Sequence, residues 1–164
     1  MRGRTLAAVA ALVLGAGVGG LAAQTSFGGQ INWGDDSDLG IGGRIEFGLA
    51  NMVNVPELKA IGSFDYFFPD APSGVDVTYW EINGNVAYQF TKVKGRILPY
   101  AGGGLNIAHG SASFGGFSGG DTKVGLNLMG GIDFKTSGRL TPFVEAKFEA
   151  GGGEQFVLSG GILF

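Results

Sequence analysis

A histidine stands two residues before a serine in "HGSAS", at His109 and Ser111, and an acid follows at Asp121. A serine becomes a nucleophile when a base lies within hydrogen-bond reach and an acid orients that base, so these three could form a hydrolytic group. Residues two apart on a strand share a face, so His109 and Ser111 can point the same way. The surrounding "GSASFGGFSGGD" is rich in serine, and any histidine placed there would have one nearby. The expectation is therefore no enzyme, with His109, Ser111 and Asp121 as weak catalytic candidates. The acidic "DDSD" lacks the loop length and terminal glutamate of a calcium site and reads as a solvated tip. Runs such as "AGGGL" open no helix and so make no phosphate loop. No cofactor is expected. Glu145, Lys147 and Glu149 sit two apart, which favours a ladder of ion pairs on one strand face over catalysis.

The elements that must carry these residues show a period of two. In "TYWEINGNVAYQF" one face holds Trp80, Ile82, Val86, Tyr88 and Phe90, and the other Glu81, Asn83, Asn85 and Gln89. "KVGLNLMGGIDF" repeats the split, with Val124, Leu126, Leu128, Ile132 and Phe134 against Lys123, Asn127 and Asp133. Eight such segments are predicted, over 25–34, 39–49, 58–68, 75–90, 97–108, 122–134, 140–150 and 155–164. Nearly all reach the about 9–11 residues that a tilted strand needs to cross a bilayer. Links rich in Gly, Pro, Ser and Asp separate them, apart from the less typical "NMVNVPE". Short links favour antiparallel neighbours, and eight strands suffice to close a barrel.

Composition narrows the setting. Arg2 and Arg4, the apolar "TLAAVAALVLGAGVGG" and the small residues of "LAAQ" have the layout of a secretory signal peptide, residues 1–23, with cleavage after Ala22 or Ala23. The barrel domain then covers 24–164. Beyond Ala23 the chain has nine Lys and Arg against fourteen acids, which disfavours a nucleic-acid partner. There is no cysteine, so hydrogen bonds and burial must hold the fold. Charged residues make up 15%, against about 25% in ordinary soluble domains. Glycine contributes 33 of 164 residues without a collagen-like repeat.

Alternation does not say which face is buried. A soluble barrel hides its apolar face and a membrane barrel exposes it. The polar face carries Gly, Asn and Gln with charges of both signs: Arg44, Glu46, Lys59, Asp65, Glu81, Lys123, Asp133, Glu145, Lys147 and Glu149. An eight-strand lumen is filled by side chains, so its charges must pair. The expected network is Arg44, Glu46, Lys59, Glu81, Lys123, Glu145, Lys147 and Glu149, four basic and four acidic. Aromatics on the apolar face gather in two belts. One holds Phe27, Phe47, Tyr88, Phe90, Phe134 and Phe164, the other Trp33, Tyr66, Phe68, Trp80, Phe148 and Phe156. Two belts match two membrane interfaces. "KVKG" and "KTSG" lie toward one side, while acidic links and the longest loop lie toward the other. The reading is all-β: an eight-stranded antiparallel up-and-down transmembrane barrel.

With its leader, eight strands, the mid-barrel "LPYAGGGLNIA" and the final "EQFVLSGGILF", the chain resembles the small bacterial outer-membrane barrels of the OmpA/OmpX and opacity-protein type. That resemblance implies location in the outer membrane, contact with lipid and lipopolysaccharide, and a monomer. It also implies that the barrel-assembly machinery reads Phe156, Leu158, Ile162 and Phe164. The implied role is structural, in membrane integrity, or interactive, through outer loops. A narrow pore is the alternative. His-x-Ser also resembles the motif of the eight-stranded lipid A deacylases, but the rest of that pattern is not recognisable. Fold alone does not choose among these roles.

Overall fold

The computed structural model describes residues 25–151 and 154–164. The predicted signal segment, 1–23, lies outside the described residues. The strands are β1 (Thr25–Gly34), β2 (Asp38–Gly48), β3 (Leu58–Phe67), β4 (Val75–Gln89), β5 (Ile97–Phe114), β6 (Phe117–Phe134), β7 (Thr141–Ala150) and β8 (Gln155–Leu163). One short helix, α1 (Ala50–Val53), lies in the link between β2 and β3 and ends at Asn54 in the left-handed conformation. Each strand pairs antiparallel with its neighbours in sequence, and β8 returns to β1, from Gly28 opposite Leu163 to Gly34 opposite Val157. One more rung joins Phe27 and Phe164 through both backbone bonds, at 3.1 and 2.8 Å. Closure leaves no edge inside the bilayer, where an unpaired backbone group costs several kcal/mol.

The alternation has the hand of a membrane barrel. Along β6, Asn127, Met129 and Asp133 are buried, while Val124, Leu126 and Leu128 are 62–70% exposed. Both predicted aromatic belts lie on the outward face. Phe27, Tyr88, Phe90, Phe134 and Phe164 are exposed near the rim where β1 begins; Trp33, Phe68, Phe148 and Phe156 are exposed near the far rim. Phe47, Tyr66 and Trp80 are partly covered by neighbours.

The structure departs from the expected loops at one place. The segment 109–121, read as the longest loop, is strand. β5 and β6 have 18 residues each and pair up to Phe114 opposite Phe117. The reversal needs two residues with positive φ, and Gly115 (58°) and Gly116 (88°) supply them. This is the two-residue hairpin turn whose twist fits paired strands. At about 3.3 Å per residue, β5 and β6 outrun a bilayer that about 9–11 tilted residues can cross. The surplus stands above the far rim. β4 joins it, with Val75 opposite Phe114.

Candidate functional site

The lumen is where the sequence concentrates chemistry, and it divides into two levels. The near level centres on Arg44 of β2. Its Nε donates to Glu46 Oε1 at 2.8 Å, and Nη2 donates to Glu145 Oε2 at 2.8 Å and to the Tyr100 hydroxyl at 3.1 Å. Tyr100 in turn donates to Glu145 Oε2 at 2.8 Å. Lys59 of β3 bridges Glu46 (2.8 Å) and Asp133 (2.7 Å), and Gln89 also donates to Asp133. Aromatic faces cover both cations. The Arg44 guanidinium lies 4.3 Å from the centre of the Phe143 ring and Lys59 Nζ 3.9 Å from that of Tyr100. The attraction of a cation to a ring face grows when water is excluded.

The far level centres on Lys147 of β7, which meets Glu149 at 2.6 Å and Glu81 at 3.5 Å. Gln155 joins the same two carboxylates, at 2.5 Å to Glu81 and 3.1 Å to Glu149, and the Tyr79 hydroxyl donates to Glu81 at 2.8 Å. Asp65 forms a second hub, with no ion-pair partner among the described residues. Gln30 and Asn32 donate to one of its oxygens, Ser63 and Asn83 to the other. Asn127 ties Asn83 to Asn85 at 2.9 Å each. Ser37 donates to Gln155 at 2.7 Å and links the network to the far turn.

Glycines on the inward face make room for these groups. A Cβ at Gly131 would overlap the Tyr100 ring, and one at Gly42 would overlap the Asp65 carboxylate. Buried carboxylates that lost their donors would cost several kcal/mol, so these glycines serve packing of charge more than backbone freedom.

Of the eight residues expected in the network, seven lie buried in the lumen: Arg44, Glu46, Lys59, Glu81, Glu145, Lys147 and Glu149. Lys123 does not. It has the inward parity, opposite Ala108, but stands above the far rim, exposed and in none of these ion pairs. Asp65 and Asp133 belong to the lumen instead. The balance is therefore three cations against six carboxylates, not four against four. Tyr79, Tyr100, Phe67 and Phe143 also point inward. Parity identifies them, since Tyr100 shares its face with Asn106, and Phe143 with Glu145.

The weak catalytic candidates do not assemble. His109 stacks on Trp80 with ring centres 5.2 Å apart, and its Nδ1 lies 2.7 Å from the Thr122 hydroxyl. Asp121 is opposite Gly110, so it takes the other face of the sheet, and its carboxylate accepts the Thr122 N–H. Among the described residues, no hydrogen bond joins His109 to Ser111 or Asp121. The "DDSD" acids tie loops together. Asp35 accepts the Phe156 N–H at 2.8 Å and Asp38 accepts the Asp70 N–H at 3.0 Å. Phe156, Leu158, Ile162 and Phe164 form the outward face of the closing strand, each 37–68% exposed.

Above the far rim the polarity of the wall reverses. Outward positions become polar: Asp76 and Thr78 on β4, Ser111 and Ser113 on β5, Ser118 and Thr122 on β6. Inward positions become largely apolar, at Val75, Val77, Ala112, Phe114 and Phe117, with Asp121 and Lys123 as charged exceptions on β6. A cup of about 220 Å³ lies below this face at the mouth, lined by Asp36, Tyr79, Gly110, Glu154 and Gln155 among others.

An apolar outer wall, two aromatic belts and a charge-filled lumen define a membrane-spanning β-barrel. The chain belongs to the outer membrane protein beta-barrel domain family, which matches residues 4–149, and it is a protein of the bacterial outer membrane. Among solved structures it is similar to Neisserial surface protein A at 18% identity and TM-score 0.63, covering 85% of this chain and 94% of that one. The N-terminal β-barrel domain of Pseudomonas aeruginosa OprF matches at 16% and 0.64, covering 86% and 98%. Ail of Yersinia pestis matches at 14% and 0.59, covering 85% and 93%. At these identities the likeness is one of fold. No curated protein sequence matches the chain.

Proposed function

We propose that this barrel is a non-conducting, non-enzymatic carrier, which anchors the sheet extended from β4, β5 and β6 outside the cell for surface contact. The observation that carries the reading is the filled lumen: six ion pairs, with Arg44, Glu81, Lys147 and Glu149 at most 4% exposed. An eight-strand barrel has an interior just wide enough for side chains, and paired charges there obstruct it. The far rim faces outward in this reading, because the longest excursion of the chain beyond a belt, 109–121 of β5 and β6, lies on that side, and outer-membrane barrels carry their longer excursions outside. Lipid and lipopolysaccharide surround the belts, and the assembly machinery reads Phe156, Leu158, Ile162 and Phe164.

Charge limits the kind of contact. Ail has been solved with the heparin analogue sucrose octasulfate, a polyanion. Here the far side carries seven acids, Asp35, Asp36, Asp38, Asp70, Asp76, Asp121 and Glu154, against Lys123. A sulfated ligand is not the one such a rim attracts.

Planar-bilayer recording of the pure protein tests the reading, with flat traces expected. Steady single-channel steps that change when Glu145 or Lys147 becomes Ala would replace it with a pore. A second arm separates surface contact from membrane integrity. A chain with 110–121 trimmed to a short turn is returned to cells lacking the protein. If it restores everything the cells had lost, the role is structural.

A further inference from the structure

The inverted sheet has features the carrier reading does not use. Toward the hairpin tip its inward face is apolar and uncovered, with Phe114 64% and Phe117 84% exposed, and lower on β6 that face carries Lys123. Apolar area in water gains about 25 cal/mol per Å² on being covered. β6 also has an open edge there. Residues 117–125 pair with β5 on one side, but pairing with β7 begins only at Leu126 opposite Ala150. No strand of the described residues takes the other side. An open edge offers backbone donors and acceptors to an added strand. Asp121 lies on the same inward face, and Asp36 and Glu154 line the cup below it.

We infer that this face and edge dock an extended basic segment of another protein. The segment adds to β6, sets inward apolar side chains beside Phe117 near the hairpin tip, and lower down turns inward cations toward Asp121 and Glu154. The inference rests on the surface-contact reading and names the partner's chemistry. The charge of the rim selects the occupant. A second copy would bring seven acids against seven, and like charges across an interface cost several kcal/mol. A basic strand meets opposite charge at the rim, and one of its faces can carry apolar groups beside Phe117 and cations beside Asp121 while its backbone follows the edge. The cup has room for a long cationic side chain reaching toward Glu154.

The test uses the full barrel in nanodiscs and a fluorescent ten-residue peptide of Lys, Val and Ser, with Val at one end and Lys at the other end of one strand face and Ser on the opposite face. The peptide is expected to bind, and amide hydrogen exchange at 118–125 is expected to slow. Methylating alternate peptide nitrogens removes the donors an added strand needs and should weaken binding about tenfold or more. D121K and F117S should each weaken it about tenfold, with the barrel still folded, since both residues are exposed. The inference fails if this peptide does not bind, if the same peptide with Glu in place of Lys binds as well, or if the 110–121 trimmed barrel binds undiminished. It also fails if the 118–125 amides are already protected without peptide in proportion to barrels per disc, which assigns the edge to a second copy. Each of these leaves the flat-trace test of the carrier reading untouched.

Discussion

β5 crosses two environments and is built twice. Between Tyr100 and Ile107 it turns Leu105 and Ile107 outward and keeps Asn106 fully buried inside. From Ser111 to Phe114 it turns serines outward and Ala112 and Phe114 inward. β6 and β4 invert at the same height, near the stacked Trp80 and His109. The pleat is continuous through the change, so the backbone does not cause it. What changes is the solvent on each side. Lipid accepts Leu128 where water would reject it, and the lumen accepts Arg44 only because Glu46 and Glu145 answer it. Above the rim both faces meet water, and the apolar side is the one that looks over the mouth. The lower part holds its shape by buried charge; the upper part holds little buried charge at all.

Charge removal should separate the two parts most. Arg44→Ala strands Glu46 and Glu145 in a buried space, although Lys59 and Tyr100 still reach them. Breaking a buried pair costs about 3–5 kcal/mol, and those remaining donors place this case near about 3. Asp121→Ala, on the exposed sheet, should move stability by less than about 0.5 kcal/mol. Urea unfolding from lipid vesicles measures both. A cost below about 1 kcal/mol for Arg44→Ala would mean a lumen wet enough to solvate its carboxylates, and the filled-lumen argument would lose its basis.

Charge addition tests the same contrast from the lipid side. Leu128 lies between Phe134 of one belt and exposed Val124, so it sits near mid-depth on the outward face. Leu128→Arg should cost about 2–4 kcal/mol in the same assay. Phe117→Arg places the same charge on the same strand above the membrane and should cost under about 0.5 kcal/mol. Equal costs would erase the boundary drawn at Trp80 and His109.

The barrel was legible because its alternation is strong where one side is lipid. Leu126, Asn127 and Leu128 alternate by a transfer energy too large to blur. The 109–121 strand was not legible because a strand with water on both sides has no such constraint, and Ser and Gly at most positions look like a loop. The same limit explains the lumen. Parity assigns a face but not a height, so Lys123 was expected in a space that it stands above. Asp65 had the right face, yet a balance of signs offered it no role. Its four donors are neutral amides and a hydroxyl, and nothing in their spacing marks them as its partners.

The smallest expected effect asks how dry the lower part is. Asn83 and Asn106 are opposite each other on β4 and β5 and both point inward. Asn83 donates to Asp65 at 3.1 Å and accepts from Asn127 at 2.9 Å. The Asn106 amide is fully buried, and neither its nitrogen nor its oxygen has a hydrogen-bond partner among the described residues. Asn83→Ala leaves a carboxylate short of a donor and should cost about 1–3 kcal/mol. Asn106→Ala removes polar groups that bond none of the described residues, so the desolvation relieved offsets the packing lost. Its cost should stay under about 1 kcal/mol and below that of Asn83→Ala. If the two cost the same, Asn106 is satisfied by lumen water. The barrel would then resemble its outer sheet more than the comparison allows, with water on both sides of the wall at that level.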